Sequence, residues 1–492
     1  MMKLPALILV GALLASGVQA LPARLSDKGL MVDGKPFLIL GGEVGNSSVS
    51  DPKQMAPVFD KAKAIGLNTL LVPVEWDQIE PVEGRFDFTV TDALLAEARA
   101  RDLKLVILWF GAWKNSMSTY APAWVKTDQK RFTRARSAEG VAQDILTPFD
   151  EDLLMADVKA FSAFMAHLKQ VDTSGVVIMV QIENEIGMLP SARDHSDLAT
   201  KQFMVTRDTE ERFQARSYAR FVEAMAKAGK AQYDLPMYVN AALNRPGKLP
   251  GEYPSAGPLP HLFDIWKGVA PSVDMLSPDI YFPDFVERVK PYAFKGNPLF
   301  IPEAHYAGDA VASANAYYAI GELDAIGFSP FSIENLPDGD PLISAYALLD
   351  SLAPLINAQR GKETMRGLRA PINYDGVIDT TPQVFELGGC RFTAAFIDPW
   401  TARDKQNPNS HGAMIIQTGK DEFVVAGSGV TLTFADTGKE RIGMEQVVEG
   451  TYENGVFVPG RWLNGDQTHQ GRHLRLPPDT WGVQRLKLYK YN

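Results

Sequence analysis

Val176-Val177-Ile178-Met179-Val180-Gln181-Ile182-Glu183-Asn184-Glu185-Ile186-Gly187 is the stretch on which the reading of the chain turns. Apolar residues, mostly β-branched, follow Gly175 and end abruptly in carboxylates. An unbroken apolar run of this length suits a strand buried on both faces, as in a parallel sheet. Charged groups at its end need partners if they stay buried. In a parallel α/β barrel the C-terminal strand ends carry the reactive groups. Glu185 is therefore a candidate catalytic carboxylate, and Asn184 a substrate-orienting amide beside it. The competing reading is a strand that runs out into a solvated acidic loop. A second apolar run ending in a glutamate, Pro298-Leu299-Phe300-Ile301-Pro302-Glu303, weighs against that.

Outward from these two runs the chain alternates between strand and helix patterns. Strands are expected at Phe37–Leu40, Asn68–Val74, Leu103–Trp109, Val176–Val180, Met237–Asn240, Met275–Tyr281, Leu299–Glu303 and Ile326–Phe331. Helices fall between them. The first is expected from Asp51, as N-cap, to Ile65, with Pro57 marking a kink or a later start and Gly66 closing it. Others are expected near Thr91–Arg101, Asp152–Lys169, Thr209–Ala228 and Pro341–Gln359. This alternation predicts a (β/α)8 barrel over residues 21–360. Beyond about Gly361 helical periodicity fades. Short strands at Gln383–Leu387, Phe392–Phe396, Glu422–Val425, Thr431–Phe434 and Arg485–Tyr489 predict an all-β sandwich over residues 361–492.

The first twenty residues read as an export signal. Lys3 gives a positive start, Leu7–Val18 is a short apolar stretch, and Ala20 closes a small-residue cleavage pattern. The expected location is the periplasm or the extracellular space. Within 492 residues, 46% are hydrophobic and 22% charged, and the net charge of −10 comes from both signs scattered through the chain. That balance argues against nucleic acid or an anionic membrane surface as partner and is compatible with a homo-oligomer. Cys390 is the one cysteine, which excludes an intramolecular disulfide and a cysteine metal cluster. It is expected to be a buried, inert thiol.

Two carboxyl groups facing each other across a barrel mouth suit glycoside hydrolysis. One must be protonated to serve the leaving oxygen, and in a retaining mechanism the other must be ionised to attack the anomeric carbon. Residue types alone leave open which of Glu185 and Glu303 is which. The aromatics near strand ends suit a sugar, because flat rings pack on the C–H face of a pyranose. Trp76, Trp109, Tyr281 and Tyr306 are the candidate sugar-binding aromatics, with Trp113 as a further one; each is equally readable as core. Glu43 and Glu75 are candidate acceptors for sugar hydroxyls or partners of an arginine. His305 is readable as a carboxylate partner or as structural, and Trp124 as a packing residue at a helix start.

Gln181-Ile182-Glu183-Asn184-Glu185-Ile186-Gly187 resembles the acid/base motif of family 35 β-galactosidases, in clan A of the glycoside hydrolases. Gly41-Gly42-Glu43-Val44-Gly45-Asn46-Ser47-Ser48 looks like the bacterial branch of that family with a trailing β-sandwich. Trp76 through Phe88 is also similar to the family 42 β-galactosidases. The resemblance covers most of residues 30–350. It implies Glu185 as acid/base, Glu303 as nucleophile, a β-galactoside substrate, retention, an exo mode, and no metal or other cofactor. The segment Trp76-Asp77-Gln78-Ile79-Glu80-Pro81 departs from the family, lacking the histidine that commonly precedes its Glu-Pro pair. Two alternatives remain: another β-glycosidase of the clan, acting on mannosides or glucosides or within chains, and a carbohydrate-binding protein on a dead barrel.

Overall fold

The computed structural model describes residues 20–453 and 455–492. The expected export signal lies, apart from Ala20, outside the described residues. Eight parallel strand segments form the barrel: β1 (Ile39–Glu43), β2 (Thr69–Glu75), β3 (Lys104–Lys114), β4 (Val177–Asn184), β5 (Met237–Ala242), β6 (Met275–Ile280), β7 (Phe300–Ala304) and β8 (Gly327–Phe328). Pro302 interrupts β7, because it has no N–H to give a neighbouring strand. Phe300–Ile301 pairs with β8 and Glu303–Ala304 with β6. β8 pairs with β1 and closes the ring. Every residue of β1, β4 and β6 is buried, which explains the continuous apolar runs: one face fills the barrel and the other meets helices. Where β1 passes the loop after β8, Gly42 is required. A Cβ there would come within 2.4–2.8 Å of the Ile333 side chain.

The outer helices include α1 (Met55–Ile65), α2 (Thr89–Arg101), α3 (Glu151–Val171), α4 (Glu210–Gln232), α5 (Phe263–Val269), α6 (Phe285–Val289), α7 (Ala312–Leu323) and α8 (Pro341–Gln359). The first begins later than Asp51. Asp51 instead accepts a hydrogen bond from the Lys53 N–H at 3.0 Å within a turn. Pro57 then falls in the first helical turn, where a missing N–H costs no intrahelical bond. Gly66 ends α1 in the left-handed conformation, as expected (φ 87°). Asp150 caps α3 by accepting from the Asp152 N–H, and Asp340 caps α8 ahead of Pro341.

The C-terminal region is two antiparallel sheets, of six and four strands. All five strands expected there are present. Five more occur at Met365–Arg369, Gly412–Gly419, Arg441–Glu453, Val456–Leu463 and His473–Leu476. Phe392, Phe396, Ile415, Phe423, Leu432 and Leu486 form much of the core, with Cys390 buried among them. α7 packs on the strand Met365–Arg369 so closely that a Cβ at Gly367 would stand 2.7 Å from backbone atoms of Tyr317, Tyr318 and Glu322. Tyr374 reaches from this region to Phe282, just past β6, with ring centroids 5.6 Å apart.

Candidate active site

The strands deliver their polar residues to one end of the barrel. Glu43 ends β1, Lys114 ends β3, Asn184 and Glu185 close β4, and Glu303 lies in β7. Asn240 and Asp279 come from β5 and β6. All are buried. Glu185 is in the left-handed region (φ 45°), unusual for a residue with a side chain. Local bonds hold it there. Its N–H donates to Asn240 Oδ1 at 2.9 Å, the Ser116 hydroxyl donates to its carbonyl at 2.8 Å, and the Asn115 amide donates to its carboxyl. Asn240 also donates to Asp279 Oδ2 at 2.6 Å. The Lys114 ammonium donates to Asn184 Oδ1 at 2.7 Å. The Asn184 Nδ2 is then left buried with no partner in the protein, a donor free for a ligand. The Tyr281 hydroxyl donates to Glu303, which is also hydrogen-bonded to Glu43. One oxygen each of Glu43 and Asp279 is buried without a partner.

Burial, then repulsion from Glu303, pushes the Glu185 carboxyl up to about 7 against the opposing pull of Lys114. Burial raises Glu303 as well, but Lys114, Tyr281 and Glu43 all favour its ionised form. Glu43 lies well above the usual carboxylate range because of burial and then Glu303, so it carries the proton of the Glu43–Glu303 hydrogen bond. Asp279 is likewise pushed well up, by burial and by the three glutamates. The site thus sets a carboxylic acid that keeps its proton to near neutrality beside a carboxylate that one nearby cation and two hydrogen-bond donors help ionise. Such a pair can donate a proton and a nucleophile to opposite sides of one bond.

Of the expected aromatics, Tyr281 and Tyr306 lie together at the mouth, ring centroids 5.4 Å apart, and Tyr306 is 62% exposed. Trp76 and Trp109 do not face it. Trp109 is fully buried against Phe161 and Phe164 of α3, its indole N–H donating to Asp157 Oδ1 at 3.0 Å. The physical reason is strand length: β3 runs on to Lys114, so Trp109 is mid-strand and turned to the helix layer. Trp76 is equally buried, edge-on to Trp124, with its N–H on Glu80 Oε2 at 3.2 Å. Trp113 packs on Tyr218 and Phe221. His305 is held by Asn315 at 3.0 Å and Asp309 at 3.1 Å, a structural role. Glu43 meets Glu303 rather than an arginine. Glu75 ends β2 half-buried, its carboxyl raised to about 7 by burial and Asp77. Lys114, Asn115, Asn240 and Asp279 were not singled out from the sequence. The usable signal was the one that found Glu185: a polar residue closing an apolar strand.

Known proteins resemble the chain in two blocks. Residues 29–247 match glycosyl hydrolases family 35, and residues 342–475 match a domain of unknown function, DUF5597. A β-galactosidase of Xanthomonas manihotis is 29% identical over 178 residues, which cover 35% of this chain and 27% of that protein. The crystal structure of a β-galactosidase from the psychrophilic Marinomonas ef1 superposes with a TM-score of 0.50 at 12% identity, over 65% of this chain and 62% of that one. The shared barrel fold is shown by that superposition, and the resemblance to family 35 is borne out by the family match.

Proposed function

We propose that the chain is a retaining exo-β-galactosidase, with Glu185 as acid/base and Glu303 as nucleophile. The observation that carries this is the unequal environment of the two glutamates: burial and Glu303 keep Glu185 protonated to about 7, while Lys114, Tyr281 and Glu43 favour an ionised Glu303. In the first step a Glu303 oxygen bonds to the anomeric carbon as the glycosidic C–O bond breaks, and Glu185 passes its proton to the departing oxygen. The ester that forms has no charge. Repulsion from Glu303 then vanishes, the Glu185 pKa falls, and Glu185 accepts a proton from water as that water displaces Glu303. Two inversions return the β-anomer.

The binding groups follow the same logic. The free Nδ2 of Asn184 suits the sugar 2-hydroxyl, where hydrogen bonds strengthen in the transition state. The unpartnered oxygens of Glu43 and Asp279 suit other hydroxyls, and the rings of Tyr281 and Tyr306 suit the C–H face. The family 35 match and the β-galactosidase relative support galactose as the sugar. Export rests on residues 1–20 and predicts a mature protein that begins at Leu21.

The test is incubation of the purified protein with aryl β-galactoside, β-glucoside and β-mannoside, the released sugar followed by proton NMR. Galactose released first as its β-anomer is expected. An α-anomer would overturn retention, and no release from the galactoside would overturn the substrate. Glu303→Gln should lose at least about four orders of magnitude in kcat.

A further inference from the structure

A second pair of buried carboxyls lies behind the site, and the mechanism above does not use it. Asp157 of α3 and Glu183 of β4 are both fully buried. Asp157 Oδ1 accepts from the Trp109 indole N–H at 3.0 Å and Oδ2 from the Ala112 N–H at 3.2 Å. Glu183 Oε2 accepts from the Trp113 N–H at 2.8 Å. Glu183 Oε1 has no N–H or O–H donor and turns to the Asp157 carboxyl. Both oxygens would hold a Cβ on Gly111 to 2.7 and 2.9 Å, so the two side chains converge on the same small space. Two acceptors that face each other in a dry site need a proton between them.

The backbone held by this pair leads directly to the catalytic groups. Ala112 and Trp113 immediately precede Lys114 and Asn115. Asn115 donates to Glu185 and Lys114 to Asn184. The Asn115 N–H also donates to the Asn184 carbonyl at 3.2 Å. Glu183 itself adopts a left-handed conformation (φ 58°), which sends its side chain behind the wall while Asn184 and Glu185 serve the mouth. Such a conformation is strained for a residue with a side chain and persists only where the surroundings hold it.

We propose that Asp157 and Glu183 share one proton and act as a clamp that positions the Lys114–Asn115 segment, and through it the Glu185 carboxyl. They are positioning residues; neither reaches the mouth. The proton belongs to Glu183, because Asp157 already receives two N–H donors and takes the third bond as acceptor. The directions of titration agree: burial and then Asp157 push Glu183 well above its ordinary range, while burial takes Asp157 to about 6 against the pull of its donors. The charged groups facing the pair are Glu80, which repels Asp157, and Lys159, which lies 3.9 Å from Glu80.

Placing the proton on Glu183 makes the two conservative variants unequal. In Glu183→Gln the amide keeps an oxygen for the Trp113 N–H and gives an N–H to Asp157. In Asp157→Asn one of three donors must meet an NH2 group. Asp157→Asn should lower kcat about tenfold to a hundredfold with KM changed little, and Glu183→Gln should retain far more of it. Equal losses, or the reverse order, would overturn the proposal. These activity readings rest on the glycosidase reading, so a second measurement stands apart from turnover: Tm of the wild type and of Glu183→Gln from pH 4.5 to 8. A carboxyl raised in the folded state contributes stability below its unfolded pKa and loses it as pH rises towards its folded value. Glu183→Gln has no such loss. Its Tm should gain on the wild type steadily as pH rises. A difference independent of pH would show that no proton is held at Glu183.

Discussion

Lys114→Met is the most informative single change at the mouth. The Lys114 side chain is buried, its ammonium on Asn184 Oδ1 and 4.6 Å from the centre of the Phe110 ring, and it favours the ionised forms of Glu43, Glu185 and Glu303. Methionine keeps most of the stem and removes the charge. A unit charge about 6 Å away, at an effective dielectric of about 20, is worth roughly 3 kcal/mol, or about two pK units. Spread over three carboxyls and reduced by relaxation, a rise of about one to two units each for Glu185 and Glu303 is expected. In kcat/KM measured on an aryl β-galactoside across pH 4–9, both limbs should therefore move to higher pH, and the rate near pH 6 should fall because less Glu303 is ionised. Stability follows with the same sign. These carboxyls already lie above their unfolded values, so they lose stability as pH rises; raising them further extends that loss, and the Tm deficit of the variant should be small near pH 5 and wide near pH 8. A profile that stays in place while kcat falls would refute the electrostatic role and leave Lys114 as a prop for Asn184. A shift to lower pH would contradict the sign of the whole argument.

Tyr281→Phe removes the hydroxyl that donates to Glu303. A hydrogen bond to a charged group is worth about 1.5–3 kcal/mol, so kcat should fall roughly tenfold to a hundredfold with the acid limb moved up; an unchanged kcat would sink the assignment. Tyr306→Ala exposes no core and should raise KM for the galactoside several-fold at constant Tm, whereas a Tm loss without a KM change would mark Tyr306 as a packing residue. Gly367→Ala forces a methyl against the α7 backbone and should cost about 1–3 kcal/mol, seen as a lower Tm with kcat preserved. Unaltered stability there would mean that α7 and the C-terminal sheet slide freely.

The barrel was legible because each strand is buried on both faces and so leaves a run of apolar residues with a polar end. The same signature found Glu185 and Glu303 without any knowledge of their distance in space. It failed where strand length mattered. Leu103–Trp109 reads as a complete strand, yet β3 continues through Phe110-Gly111-Ala112-Trp113 to Lys114. The error in length put Trp109 at the mouth and left Lys114 in a loop. In the C-terminal region the missed strands Arg441–Glu453 and Val456–Leu463 have one buried residue each, Val447 and Leu463, so neither leaves a buried apolar run. Arg441–Glu453 takes its register from Gly482–Tyr491, and Val456–Leu463 from Arg441–Glu453 in turn; the first pairing is a tertiary fact. Likewise nothing local in Glu183-Asn184-Glu185 says which side chain turns outward; the left-handed backbone at Glu183 and Glu185 decides it, and distant partners hold that backbone.

Those partners also explain how so many acids are buried at once. A fully buried carboxylate without a countercharge is too costly to keep, so acids stand in couples, Glu43 with Glu303 and Glu183 with Asp157. In each couple one member lies well above the usual range and supplies the proton. Lys114 offsets part of what remains at the mouth. It follows that an amide is a fair substitute for the protonated member of a couple and a poor one for its partner. The strictest form of that rule lies at Glu303, the proposed nucleophile: Glu43→Gln should still donate to Glu303 and should leave a measurable rate, while Glu303→Gln should lose at least about four orders of magnitude. If Glu43→Gln were as inactive as Glu303→Gln, Glu43 would have to act as a charge, and the distribution of protons argued here would be wrong.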